Sequence, residues 1–184
     1  METKREQITT EVVFNGDRTY EIKRRIEGYK GDKAILIGLY PTIDGDNITK
    51  IDSTQLHLIN HMKEMGLSEV RIMNLYSDVF ERKPAVSQLT YDTENFEYIS
   101  NAVNETDTDS CKLIIAYGSS LGGNKMTNTI KHNLLTVISK SRIKNNVYQI
   151  GSEYNDTMSS DPTHVLYLGL RHGVERRYTE KWMF

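Results

Sequence analysis

The sequence predicts an α/β domain, a three-layer αβα sandwich with a mainly parallel central sheet and an N-terminal β-hairpin. Three observations lead there. Short apolar-rich runs at 34–37, 70–73, 113–116 and 147–150 each end in a polar or glycine-containing step. Segments with helical periodicity stand between those runs, and alternation of strand with helix predicts parallel strands covered on both faces by crossovers. An Asn15-Gly16 step separates two strand-like runs near the start, a strong hairpin signal.

The elements follow in order. The hairpin is expected over 11–26, with Tyr20, Ile22 and Ile26 on one side of its second strand and Lys23 and Arg25 on the other. The core is expected over 34–168. Its first strand, 34–39, exits into Tyr40-Pro41-Thr42; Asp52-Ser53-Thr54 then offers helix caps, and Leu56, Ile59, Met62 and Met65 recur at helical spacing until Gly66. The second strand, 70–75, exits into Asn74-Leu75-Tyr76-Ser77. A second helix starts near Asp92-Thr93-Glu94 and buries Phe96, Ile99 and Val103. Strand 112–117 exits into Tyr117-Gly118-Ser119-Ser120 and leads to a helix over about 124–142 with Ile130, Leu134, Val137 and Ile138 as its stripe. Strand 147–150 follows, then a strand-like run Val165–Leu168 and a basic segment over 171–184. The long polar connections 77–91 and 152–163 leave the carboxyl edge of the sheet, where binding loops are common.

At 184 residues the chain is of single-domain size, and a net charge of -2 argues against a surface that coats nucleic acid. Cys111, the single cysteine, excludes an intramolecular disulfide and heads an apolar strand as a small buried thiol would. A charged amino terminus without a following apolar stretch predicts neither signal peptide nor membrane contact, and so a cytoplasmic protein. Homo-oligomerisation stays open.

In an open α/β sheet ligands bind outside the carboxyl ends of the strands, so the exits define the expected site. Tyr40, Pro41 and Thr42 combine an aromatic ring, a fixed φ and a hydroxyl, with Asp44 close behind. Asn74 is an amide at a strand end that either contacts a ligand or braces a loop. Gly118 to Gly123 is a glycine-rich strand-to-helix turn suited to an anion, with Ser119 in it, although it fits neither the Walker pattern nor the dinucleotide fingerprint. Tyr40, Tyr76 and Tyr117 either stack on bases or form the rim of the core. His57 and His61 stand four apart, but with no third ligand in view they predict a solvated helix face rather than a metal site; no cofactor is expected. His164, before the last strand-like run, is either a candidate acid, base or phosphate donor or a loop histidine bonded to backbone.

Tyr20-Glu21-Ile22-Lys23-Arg24-Arg25, Leu39-Tyr40-Pro41-Thr42, Asp52-Ser53-Thr54, Asn74-Leu75-Tyr76-Ser77, Tyr117-Gly118 and His164-Val165-Leu166-Tyr167-Leu168 resemble, in order, the motifs of a bacterial and phage family catalogued as domain of unknown function 1643. The resemblance spans about 18–168. Tyr40, Ser53 and Val165 depart from it, where the family carries asparagine, proline and proline. The family's layout is in turn similar to the uracil-DNA glycosylase superfamily, with Gly38-Leu39-Tyr40-Pro41 standing for the word that holds the water-activating residue and His164 for the histidine that stabilises the leaving base. In other enzymes removal of one such donor costs about 3 kcal/mol of barrier lowering. Tyr40 cannot activate water, which leaves that role to Asp44 and counts against catalysis. The resemblance therefore implies a nucleotide, nucleobase or nucleic-acid ligand at the carboxyl edge. It is either sequestered without turnover, as in a phage anti-defence protein, or processed by a glycosylase-like or other hydrolase using His164 and Asp44. A purely structural module is the third reading.

Overall fold

A computed structural model describes residues 1–106, 110–150, 162–168 and 180–181. A hairpin of β1 (Ile8–Asn15) and β2 (Arg18–Ile26) opens the chain, turning through Gly16 at φ +57°. There follow β3 (Asp32–Gly38), α1 (Ser53–His61), β4 (Leu67–Asn74), α2 (Thr93–Glu105), β5 (Cys111–Ile115), α3 (Lys125–Lys140), β6 (Val147–Gln149) and β7 (Glu180–Lys181). The strands form one sheet in the order β1-β2-β4-β3-β5-β6-β7. The central four, β4-β3-β5-β6, run parallel, whereas β2 against β4 and β7 against β6 are antiparallel, so the sheet as a whole is mixed.

Alternation along each central strand divides its side chains between two apolar clusters. Ala34, Leu36, Val70, Ile72 and Ile114 pack with Leu58 and Met62 of the α1 region and with Val165 and Leu168. Ile35, Ile37, Met73, Leu113 and Ile115 pack on the other side with Ile99 and Val103 of α2 and Leu134 and Ile138 of α3. A strand that buries both faces reads as a continuous apolar run, which is why 34–37 and 113–116 show no alternation in sequence.

Each α-helix is capped by a side chain: Asp52 accepts from the Gln55 N–H, Asp92 from those of Glu94 and Asn95, and Asn124 from that of Thr127. The buried face of α1 differs from the expected stripe. Gln55, Leu58 and His61 point inward, while Leu56 is exposed. His61 is thus a buried histidine whose Nδ1 bonds to the His57 carbonyl at 2.6 Å, and not part of a solvated face. The run Val165–Leu168 is a turn of 3-10 helix, not a strand. Its two apolar ends, three residues apart, share one side of a three-residue turn and are both buried. The hairpin begins before residue 11, and most of the 152–163 connection and of the 171–184 segment lies outside the described residues.

Candidate functional site

The central order β4-β3-β5-β6 starts from β3, places the next strand on one side of it and the following strand on the other. That reversal creates a switch point between β3 and β5, the place where open α/β sheets bind ligands. Beyond it, β3 turns toward β4: the N–H groups of Leu75 and Tyr76 donate to the carbonyls of Gly38 and Leu39, and that of Phe80 to Pro41. The chain after β5 instead leads through Gly118, at φ +68°, toward α3. The Ala116 N–H still donates to the Ile37 carbonyl at 2.9 Å, and past that bond the two exits lead to different elements.

Strand alternation puts Gly38, Asn74, Ala116 and Gly118 on the α1 side of the sheet. A Cβ at Gly38 would lie 2.4 Å from Asn74 Oδ1, so the amide lies directly over the glycine. Asn74 is only 5% exposed, yet its side chain makes no hydrogen bond among the described residues. His164 packs its Cβ and ring against Gly118, where an added Cβ would come within 3.1 Å. The Leu166 N–H donates to His164 Nδ1 at 3.2 Å, which fixes the neutral tautomer with its proton on Nε2. Burial pushes the His164 pKa down, opposed by the charge of Asp52. Asp52 also accepts the Thr42 hydroxyl proton and, at 2.6 Å, the Gln55 N–H. The first exit, the start of α1 and His164 are therefore electrostatically linked.

The remaining expected residues fall elsewhere. Asp44 is taken up by its own loop, its Oδ1 accepting from the N–H groups of Asp46 and Asn47 and from the Asn47 amide at 2.9–3.1 Å. Those bonds, that of the Asn47 side chain first, hold its pKa below the usual range. Pro41 is buried behind the exit. Tyr40 is half-buried with its ring edge-on to Phe80 at 5.8 Å, its hydroxyl pushed up in pKa by burial. Tyr76 and Tyr117 are 0% and 2% exposed in the cluster on the α2 and α3 side. Tyr76 hydrogen-bonds Thr127 at 2.7 Å, and Lys131 sits 4.6 Å over the Tyr117 ring. Both tyrosines are core residues here and present no ring for a base to stack on. Ser119 is exposed at the start of the glycine-rich turn.

Two participants carried weaker signals. Arg24, 3% exposed, donates to Gln55, Thr10 and the Lys50 carbonyl, tying the β3–α1 loop to the sheet. Asn95 is fully buried and donates to the carbonyls of Asn74 and Leu75, leaving its Oδ1 without a partner. Its helical spacing from Ile99 and Val103 could have placed it in the core beside the second exit. A separate cleft of about 690 Å³ lies at the amino ends of the strands, lined by Glu69, Arg71, Tyr98 and Cys111 among others. Its main charges are already paired, Arg71 with Glu21 and Glu69 with Arg25. Among the described residues no cluster of three or more His, Cys, Asp or Glu could hold a metal, and no helix is long and apolar enough to cross a membrane.

Comparison with curated proteins and with solved structures gives no match. A family model described as protein of unknown function (DUF1643) matches residues 20–166, from within β2 to within the turn after His164, and the chain belongs to that family.

Proposed function

We propose that the protein binds a nucleotide, nucleobase or short nucleic-acid segment at the switch point between the β3 and β5 exits and holds it without turnover. The framework is read as a three-layer αβα sandwich, with α1 on one face and α2 and α3 on the other. The observation that carries the reading is Asn74, a largely buried residue at a strand end whose amide makes no hydrogen bond among the described residues and keeps some contact with solvent. A ligand offering a donor beside an acceptor, as a base edge does, pairs with both ends of that amide. His164 adds an Nε2–H donor of fixed tautomer beside Gly118.

Retention is favoured over hydrolysis because both acids at the first exit are engaged, Asp44 with its own loop and Asp52 with Thr42 and the start of α1. The lowered pKa of Asp44 makes it a weak base, and both oxygens of Asp52 are already in use. A protein that sequesters a nucleotide, as a phage would use against a host defence, fits these features. The alternative of a glycosylase-like or other nucleotide-directed hydrolase rests on His164, whose neutral imidazole could stabilise charge developing on a leaving group. Calorimetry with mononucleotides, cyclic dinucleotides, NAD derivatives and uracil-containing single strands, followed by chromatography of the recovered ligand, separates the two. The expected result is a ligand bound and recovered intact, with Asn74→Ala and His164→Ala each weakening binding by about tenfold or more, or 1.4 kcal/mol. Product formation would establish the hydrolase instead, and failure of every compound to bind would end the reading.

A further inference from the structure

We propose that β1 is a self-pairing edge, through which two copies of this chain join their sheets in an antiparallel, two-fold arrangement centred on Thr10. The inference is independent of the ligand proposed above. The Glu27 N–H donates to the Gln7 carbonyl, and the β1/β2 register pairs Ile8 with Ile26 and Thr9 with Arg25. In an antiparallel ladder successive residues direct their N–H and C=O alternately to the two sides. Residues 7, 9, 11 and 13 therefore spend theirs on β2, and Ile8, Thr10 and Val12 direct theirs outward from the end of the sheet. None of those outward groups meets a backbone partner among the described residues.

The strand carries few of the devices that usually protect an edge, Glu11 being its one charged residue. It contains no proline or lysine, and its one register shift, between Val13 and Phe14, lies beyond the outward-facing stretch. Ile8 and Val13 are 38% and 42% exposed.

The occupant follows from the register that a two-fold axis imposes. With Thr10 on the axis, Ile8 exchanges both bonds with the partner's Val12, Thr10 with the partner's Thr10, and Val12 with the partner's Ile8. Apolar residues then meet apolar residues on the α1 face. On the other face Glu11 comes opposite the partner's Thr9, so no like charges face each other. Glu11 is moreover held by Lys23 of its own chain at 2.6 Å. The edge is thus complementary to itself in hydrogen bonding and free of like-charge opposition, as an isologous interface requires.

Light scattering on the eluting full-length protein at roughly 100 µM, above the micromolar range of small interfaces, is expected to give twice the 21.2 kDa chain mass. Ile8→Pro removes an outward N–H without taking a bond from β2, and is expected to give the single-chain mass with unchanged circular dichroism. Thr10→Cys is expected to cross-link under mild oxidation, because directly opposed residues have Cα atoms about 5.5 Å apart, within disulfide range. Val13→Cys, far from its own symmetry mate, is expected not to. A wild-type monomer, an Ile8→Pro dimer, or equal cross-linking at positions 10 and 13 would each overturn the proposal. The cross-linking pair reads the register directly and so stands even where proline unfolds the hairpin.

Discussion

A Cβ at Gly38 would stand 2.4 Å from the Asn74 amide oxygen and 3.8 Å from the Met73 carbonyl, so the only severe clash is with the far end of a side chain. No hydrogen bond among the described residues holds that amide in place. Gly38→Ala is therefore expected to swing Asn74 aside at a stability cost of less than about 1.5 kcal/mol, near the low end for an added methyl group. Ligand binding is expected to fall as far as with Asn74→Ala. Denaturant titration beside calorimetry checks the pair of outcomes, and a destabilisation that accounts for the whole loss of binding would sink the idea. At this scale Asn74 and His164 were legible because each stands where an apolar run meets a polar connection. The fate of Tyr76 and Tyr117 was not. A residue just past a strand end goes to either side of the sheet, and only the packing against Thr127 and Lys131 decides which.

Helix α1 is short, and Asp52 performs two tasks at its start, capping the Gln55 N–H and accepting the Thr42 hydroxyl proton. It also raises the His164 pKa against the larger opposing effect of burial. The folded pKa of His164 lies below its ordinary 6.5, so between those two values the unfolded chain binds the extra proton. The stability contributed by neutral His164 is full above 6.5 and is lost as pH falls through that interval. Asp52→Asn keeps a capping oxygen but removes the charge. It is expected to cost less than the 1–2 kcal/mol or so of Asp52→Ala, and to move the His164 titration to still lower pH. NMR titration of the imidazole tests this, and an unmoved or raised pKa would refute the link between Asp52 and His164. The start of α1 was readable from its cap, whereas its buried face was not. Arg24 of β2, sunk beneath the helix, needs acceptors and draws Gln55 inward through a bond of 3.2 Å, a demand that hydropathy does not register.

Across the whole molecule, β3 and β5 were legible because a strand buried on both faces reads as a run of Ile, Leu, Val and Ala, and the helices between the strands dictate crossovers. What the runs do not encode is how the N-terminal hairpin attaches. It joins the sheet through β2 against β4, and polar groups help hold that seam. Glu21 of β2 accepts both the Nε and an Nη of Arg71 on β4, at 2.9 and 2.7 Å, and the Tyr98 hydroxyl of α2 at 2.9 Å, so one carboxylate ties three elements. Its hydrogen bonds push the Arg71 pKa up, while burial first and Glu21 second raise that of Tyr98. Glu21 is buried but the Arg71 side chain is 33% exposed, so solvent relieves part of the penalty when the carboxylate is removed. Glu21→Leu is accordingly expected to cost about 2–4 kcal/mol, somewhat below the range for a fully buried pair. The double variant Glu21→Leu with Arg71→Leu no longer leaves a guanidinium stranded over an apolar surface, and it is expected to lose less than the sum of the single changes. A double-mutant cycle by urea unfolding reads that coupling. Strict additivity would mean that the seam is held by Ile22, Val70 and Ile72 alone, with the ion pair contributing orientation but no net stability.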